Sequence, residues 1–253
     1  MKSPLWIPPA TLLLSLAPLS IASDFGLFAG WHSWQQDYSG DVNSVESTIN
    51  IDLESDLGFD DERNNVFYAA VEHPLPVLPN FKVQRTEMEI SRDSTLQREI
   101  EFNSTTFPAG ENIFTNVDLS HTDITAYWQP LQNWVTLGVG FTVRLYDSRI
   151  SIESRTNTGL RAKEELEQRL PMAYGKALVE IPNTNFSIGA ELQGVGYDGS
   201  NLIDTQLQVA YESIFGFGAA LGWRSFRLDL EDIDDIDADI EVSGVYFGIT
   251  YNF

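Results

Sequence analysis

His121 and Asp123 are the residues of this chain best spaced for proton chemistry. They stand two apart, and in an extended strand the side chains of i and i+2 share a face. An imidazole beside a carboxylate on the wall of a pore can take up and return a proton, as a barrel hydrolysing lipid or peptide requires. Against that reading, the chain has three histidines and no cysteine among its 253 residues. No Gly-x-Ser-x-Gly or other nucleophile signature accompanies the pair, and strict alternation turns Ser120 and Thr122 to the face opposite His121. The expectation is a pair of polar interior residues, with no catalytic residue and no enzymatic activity. A hydrolase built on His121 and Asp123 is the alternative.

A second set of ionisable residues alternates with apolar ones: Glu72, Arg144, Lys176, Glu180, Glu191, Asp204, Glu212 and Arg224. Charge inside a protein is tolerated when paired. These residues are therefore expected to form a cross-strand network of arginine or lysine with carboxylates that plugs a narrow lumen, a small aqueous path being the alternative. Two acidic clusters stand apart from this set. One holds Asp52, Glu54, Asp56, Asp60, Asp61 and Glu62; the other holds Asp229, Glu231, Asp232, Asp234, Asp235, Asp237, Asp239 and Glu241. Carboxylate oxygens are ligands for Ca²⁺, but neither cluster has the spacing, glycine and terminal glutamate of an EF-hand loop. They read as solvated faces; no metal and no cofactor is expected. The formal charge of −22 excludes nucleic acid, whose phosphates demand the opposite sign.

The elements that must carry these side chains are strands. The last nine residues put Val245, Phe247, Ile249, Tyr251 and Phe253 on one face, with small and polar residues on the other. The same period of two runs through Val135 to Tyr146, Phe186 to Gln193, Ile203 to Glu212 and Phe217 to Arg224, and a first strand shows Phe25, Leu27, Ala29 and Trp31 on one face. Ten strands are expected near 24–37, 65–73, 80–92, 116–129, 133–147, 169–181, 185–198, 201–213, 216–230 and 239–253. The apolar faces are long enough to cross a bilayer at a tilt, where only helices and closed barrels satisfy every backbone group. The fold expected is all-β: a transmembrane antiparallel β-barrel of about ten strands, both termini periplasmic. Short connections at 73–80, 129–133, 182–184 and 212–215 read as periplasmic turns. Long or acidic ones at 38–64, 93–115, 148–168, 198–202 and 231–239 read as extracellular loops. Residues 45–55 and 96–107 also alternate, as a loop hairpin, as parts of longer strands, or as two further strands. Residues 161–169 read as a solvated loop rather than a short helix. Trp31, Trp34, Trp128, Trp134, Trp223, Tyr127 and Tyr251 read as an interfacial aromatic girdle.

Residues 1–22 have the form of a signal peptide: Lys2, the apolar Leu12 to Ala17, and small residues at Ser20-Ile21-Ala22, with cleavage expected after Ala22. Residues 23–253 form the barrel. Pro74, Pro76 and Pro79 end a strand, because proline cannot donate to a ladder; Glu72 and His73 beside them read as turn-packing residues.

Several motifs resemble an uncharacterised family of Gram-negative outer-membrane β-barrel proteins. They are the acidic loop Asp52-Leu53-Glu54-Ser55-Asp56-Leu57-Gly58, the turn Glu72-His73-Pro74-Leu75-Pro76-Val77-Leu78-Pro79-Asn80, Asp118-Leu119-Ser120-His121-Thr122-Asp123, and Gly222-Trp223-Arg224. The resemblance implies fold and location and carries no activity. Together the readings describe a monomeric barrel in the outer membrane of a Gram-negative bacterium, structural or a narrow cation-preferring channel. Its partners are outer-membrane lipid, lipopolysaccharide and the barrel-assembly machinery, with Tyr251 and Phe253 as assembly signal. A surface receptor or adhesin using the loops at 38–64 and 93–115 is a further alternative.

Overall fold

The computed structural model describes residues 25–44, 50–233 and 236–253. The expected leader and its cleavage point lie outside the described residues, as do Asp234 and Asp235 of the second acidic cluster. The described residues form fifteen strands: β1 (Gly26–Ser44), β2 (Asn50–Asp52), β3 (Glu62–Glu72), β4 (Asn80–Thr86), β5 (Glu89–Thr95), β6 (Ile100–Phe102), β7 (Thr105–Phe107), β8 (Asn112–Asp118), β9 (His121–Gln132), β10 (Val135–Ser154), β11 (Arg161–Glu180), β12 (Phe186–Tyr197), β13 (Ser200–Glu212), β14 (Phe217–Ile233) and β15 (Ile236–Asn252). They make ten staves, because β5 continues β4 and β9 continues β8. Every ladder is antiparallel, β15 pairs with β1, and β10 pairs with β11 to close the barrel. Ten is an even number, so the start of β1 and the end of β15 meet at one rim, the end of the short turns.

The staves overrun their expected lengths at the other rim. β10 and β11 are each 20 residues long, roughly 65 Å of extended chain, about twice what a bilayer crossing takes. Most of the segments read as long loops are thus strand. Residues 161–169 belong to β11, and 198–202 shrinks to the turn Asp198-Gly199, both residues at positive φ, as a two-residue hairpin requires. Of 96–107, the hairpin reading holds, as β6 paired with β7; residues 50–52 form β2, a short addition to β1.

The outer face changes chemistry halfway up while its parity stays fixed. On β10 the outward residues Leu137, Val139, Phe141 and Val143 are exposed and apolar, and Asp147, Arg149, Ser151 and Glu153 follow on the same face. On β15 Ile249, Phe247 and Val245 give way to Ser243, Glu241 and Asp239. The inner face inverts in step. Near the turns it is polar, and beyond the midpoint it becomes a packed core of Tyr38, Leu53, Leu57, Phe59, Val66, Met88, Ile90, Leu96, Ile113, Ile152 and Val242. One half of the barrel is built like a soluble protein, the other inside out. Two girdle assignments are overturned here: Trp34 is fully buried in this core and Tyr127 points into the lumen.

The acidic motif at 52–58 plugs this core. Leu53 and Leu57 are buried in it, while Asp52 Oδ1 accepts the Ser55 N–H at 2.7 Å and its hydroxyl at 2.8 Å. Asp56 accepts the Asp52 N–H at 3.0 Å and pairs with Arg98. The Ser94 hydroxyl donates to the Asp56 carbonyl, so the loop lies against β5 on the edge that has no ladder partner. Backbone and hydroxyl donors of Ser55 hold the Asp52 carboxyl below its usual range; Arg155 does the same for Asp93, and Ser154 and Thr156 for Glu111. A depressed folded value stabilises above the unfolded one and is lost as pH falls through the folded one. These loop contacts should therefore hold at neutral pH and loosen below about pH 4. Amide exchange at Ser55, Thr156 and Asn157 should rise there; unchanged protection would refute the assignment.

Candidate functional site

The lumen is stacked in tiers that follow from strand parity. Inward positions of β4 are Asn80, Lys82, Gln84 and Thr86; those of β9 are His121, Asp123, Thr125 and Tyr127. In the middle tier, Arg144 on β10 donates through Nε to Asp123 Oδ1 at 2.8 Å and through Nη2 to Asp123 Oδ2 at 2.8 Å and Asp204 Oδ2 at 2.7 Å. Gln193 accepts a further bond at 3.1 Å. Arg224 on β14 grips Asp204 through Nε at 2.9 Å and Nη2 at 2.6 Å, and its Nη1 reaches across to the Thr86 hydroxyl on β4. Its guanidinium lies 4.7 Å from the Trp34 ring centroid, and that of Arg144 lies 5.8 Å from Phe226. All four charged side chains are at most 2% exposed. Two guanidinium groups against two carboxylates make the tier neutral, and the apolar core lies beyond it. Bidentate arginine pairing is the geometry that lets such charges stay buried.

His121 belongs to this tier and has a packing role. Nδ1 donates to the Leu119 carbonyl at 3.1 Å, and the ring lies against Tyr146 and Phe226. Strict alternation fails beside it. Leu119 and Ser120 form an irregularity between β8 and β9, where the Ser120 hydroxyl accepts the Met88 N–H and the Leu119 N–H donates to the Met88 carbonyl. Ser120 is therefore buried on the same side as His121, which corrects its expected placement. Asp123 is committed to Arg144, and the cavity described next does not reach either residue.

Nearer the turns the lumen opens into a cavity of about 670 Å³. Two ion pairs span it between strands that are not neighbours: Lys82 on β4 with Glu191 on β12 at 2.6 Å, and Lys176 on β11 with Glu72 on β3 at 3.2 Å. Glu72 also accepts the Tyr127 hydroxyl at 2.6 Å and Gln129 Nε2 at 3.0 Å. Glu180 and Glu212 stand at the exposed rim, where Glu212 accepts Asn252 Nδ2 at 3.5 Å. One wall is a stack of rings: His32 lies 4.7 Å from Tyr246, nearly parallel, and edge-on to Tyr68 at 5.3 Å. Gly222 and Gly248 make room for it, since a Cβ there would come within 2.3 Å of Tyr246 and of His32.

The eight charged residues singled out from the sequence thus divide into the sealed tier (Arg144, Asp204, Arg224), the struts (Glu72, Lys176, Glu191) and the rim (Glu180, Glu212). Two partners were missed, Lys82 and Asp123 in its role as an ion-pair partner. Lys82 sits between outward Phe81 and Val83, so parity alone would have placed it in the lumen. At the turn, the Leu75 N–H donates to His73 Nδ1, His73 Nε2 lies 3.1 Å from the Pro79 carbonyl, and the His73 N–H donates to Asn80 Oδ1. Among the described residues no three histidine or carboxylate side chains converge to hold a metal ion.

No protein-family model matches the chain, and no curated protein does. Solved structures do. The outer membrane protease OmpT from Escherichia coli superposes with a TM-score of 0.51 at 10% identity, over 90% of this chain and 96% of that one. The transport unit of the autotransporter AIDA-I from Escherichia coli gives 0.45 at 11% identity, over 95% and 94%. With OmpT the likeness is one of fold, and it places this closed ten-stranded antiparallel chain among barrels of the outer-membrane kind.

Proposed function

We propose that this chain is an integral outer-membrane barrel of a Gram-negative bacterium whose lumen is closed: a non-conducting envelope protein with both termini and the short turns in the periplasm. The observation that carries the reading is the neutral Arg144–Asp123–Asp204–Arg224 tier backed by an apolar core, since ions cross a pore only where water or polar ligands replace their shell. The exposed apolar band supports the membrane location, because soluble monomers do not expose contiguous apolar surface of this extent. Beyond the band the barrel presents an acid-rich collar, with Asp147, Glu153, Glu165, Asp239 and Glu241 outward, which meets lipopolysaccharide phosphates through bridging divalent cations. Phe253 is exposed beside Tyr251 at the turn-end rim and serves as the handle for the assembly machinery. No enzymatic role is assigned, because His121 and Asp123 are spent on packing and ion pairing.

Planar-bilayer recording of the refolded protein in concentrated KCl tests this. Insertion, verified by slower gel mobility after boiling, should produce no conductance steps; a sustained open level would overturn the closed-lumen reading.

A further inference from the structure

The outward apolar band is not level around the barrel. On β10 it runs from Leu137 to Leu145 and on β11 from Val179 to Pro171, nine residues each, before Asp147 and Arg169 follow on the same face. A bilayer crossing takes about nine to eleven residues of tilted strand. On the wall across the barrel the band is shorter. β1 offers Leu27 to Trp31 before Ser33, and β3 offers Val71 to Phe67 before Asn65, five residues each. β4 offers Phe81 to Val83 before Arg85, three residues.

The depth missing there is present in the turns below. The turn after β3 exposes Leu75, Val77 and Leu78, with Val77 83% exposed, and the turn before β14 exposes Ile214 and Phe215, with Ile214 85% exposed. Both lie on one arc of the rim. The Gly216 carbonyl accepts the Asn252 N–H, the Phe253 N–H donates to the Leu27 carbonyl, and the Phe25 ring lies 6.1 Å from that of His73. The turns of the facing arc, beside Trp134 and Ile181, carry Gln132, Asn133, Asn183 and Thr184. Backbone that leaves water must have its polar groups paired, and the turn at 73–80 meets much of that demand within itself. Pro74, Pro76 and Pro79 have no N–H. The Leu75 N–H donates to His73 Nδ1, His73 Nε2 donates to the Pro79 carbonyl, and Trp128 Nε1 donates to the Val77 carbonyl at 3.2 Å.

We propose that the barrel stands inclined in its membrane, with the turns at 73–80 and 213–216 sunk into the headgroup–acyl boundary of the periplasmic leaflet and the facing turns left in water. The occupant of this apolar arc is lipid, because the arc continues the lipid-facing band through Leu27, Val71, Phe81 and Phe217. A short apolar wall is otherwise met by thinning the bilayer, but thinning alone leaves Val77 and Ile214 in water. Inclination covers them and supplies the missing depth on the same wall. The inference rests on the membrane location and orientation proposed above.

The chain has no cysteine, so single substitutions report one place each. Val77→Cys, Ile214→Cys, Asn183→Cys and Phe141→Cys, each carrying a nitroxide, test the proposal in the full barrel folded into phosphatidylcholine vesicles. All four positions are exposed, so the variants should keep their heat-shifted gel mobility. The ratio of collisions with oxygen, which enters lipid, to those with a water-soluble nickel chelate should be several-fold higher at 77 and 214 than at 183, and should approach that at 141. Lipid exposure at 141 with water at 77 and 214 would overturn the inclination and leave the barrel reading standing. Lipid exposure at 183 as well would overturn it too, since the rim would then be sunk evenly. Water at 141 would remove the membrane reading and this inference with it.

Discussion

Asp204→Ala is expected to destabilise the barrel by about 3–5 kcal/mol, the cost of leaving buried charge without its partner. Asp204 receives three bonds from two guanidinium groups, at 2.7, 2.9 and 2.6 Å. Its removal leaves Arg144 and Arg224 facing the single carboxylate of Asp123 in a tier that water does not reach. The midpoint of urea unfolding in phospholipid vesicles should fall accordingly, and water entering to solvate the excess charge should bring conductance to a barrel that is silent in its parent form. Asp204→Ala combined with Arg224→Met restores neutrality and should recover part of the loss, the signature of coupling in a double-mutant cycle. An unfolding midpoint for Asp204→Ala equal to the parent's would sink the idea that this tier holds the barrel shut.

The second large effect comes from the outer face. Phe141→Arg should cost about 2–4 kcal/mol in a bilayer, the penalty for a cation at the midplane of a lipid-facing strand. Ser151→Arg, ten residues along the same face of β10, should shift stability by no more than about 0.5 kcal/mol, as ordinary solvated positions do. Phe141 is 69% exposed, so with water around the whole barrel both substitutions would be nearly neutral. The contrast between them therefore reads the solvent directly. Equal responses would remove the hydrocarbon belt from the description.

Much of this was legible in the residue order because the period of two is a property of the extended backbone. Parity alone puts Arg144, Glu191, Asp204 and Arg224 on one face with the polar residues of their strands. It failed at two kinds of place. At Leu119-Ser120 an irregularity resets the alternation and turns Ser120 inward beside His121. Beyond Tyr146 on β10 the outward face becomes charged and the inward face apolar, and such charged stretches look like loops unless the change of surroundings is recognised. Trp34 was read as membrane girdle for the same reason: on β1 it sits where the lumen has become an apolar core.

The sequence by itself determined the strands of the turn-end half and, on most of them, the face each residue takes, since these follow from side-chain alternation and from short turns at proline, asparagine and glycine. Tertiary structure alone decided which charges meet. Lys82 finds Glu191 and Arg224 finds Thr86 across the lumen, between strands that share no ladder, at sequence separations of 109 and 138 residues. Local pattern carries no information about such distances, because they are set only when β10 meets β11 and the cylinder closes.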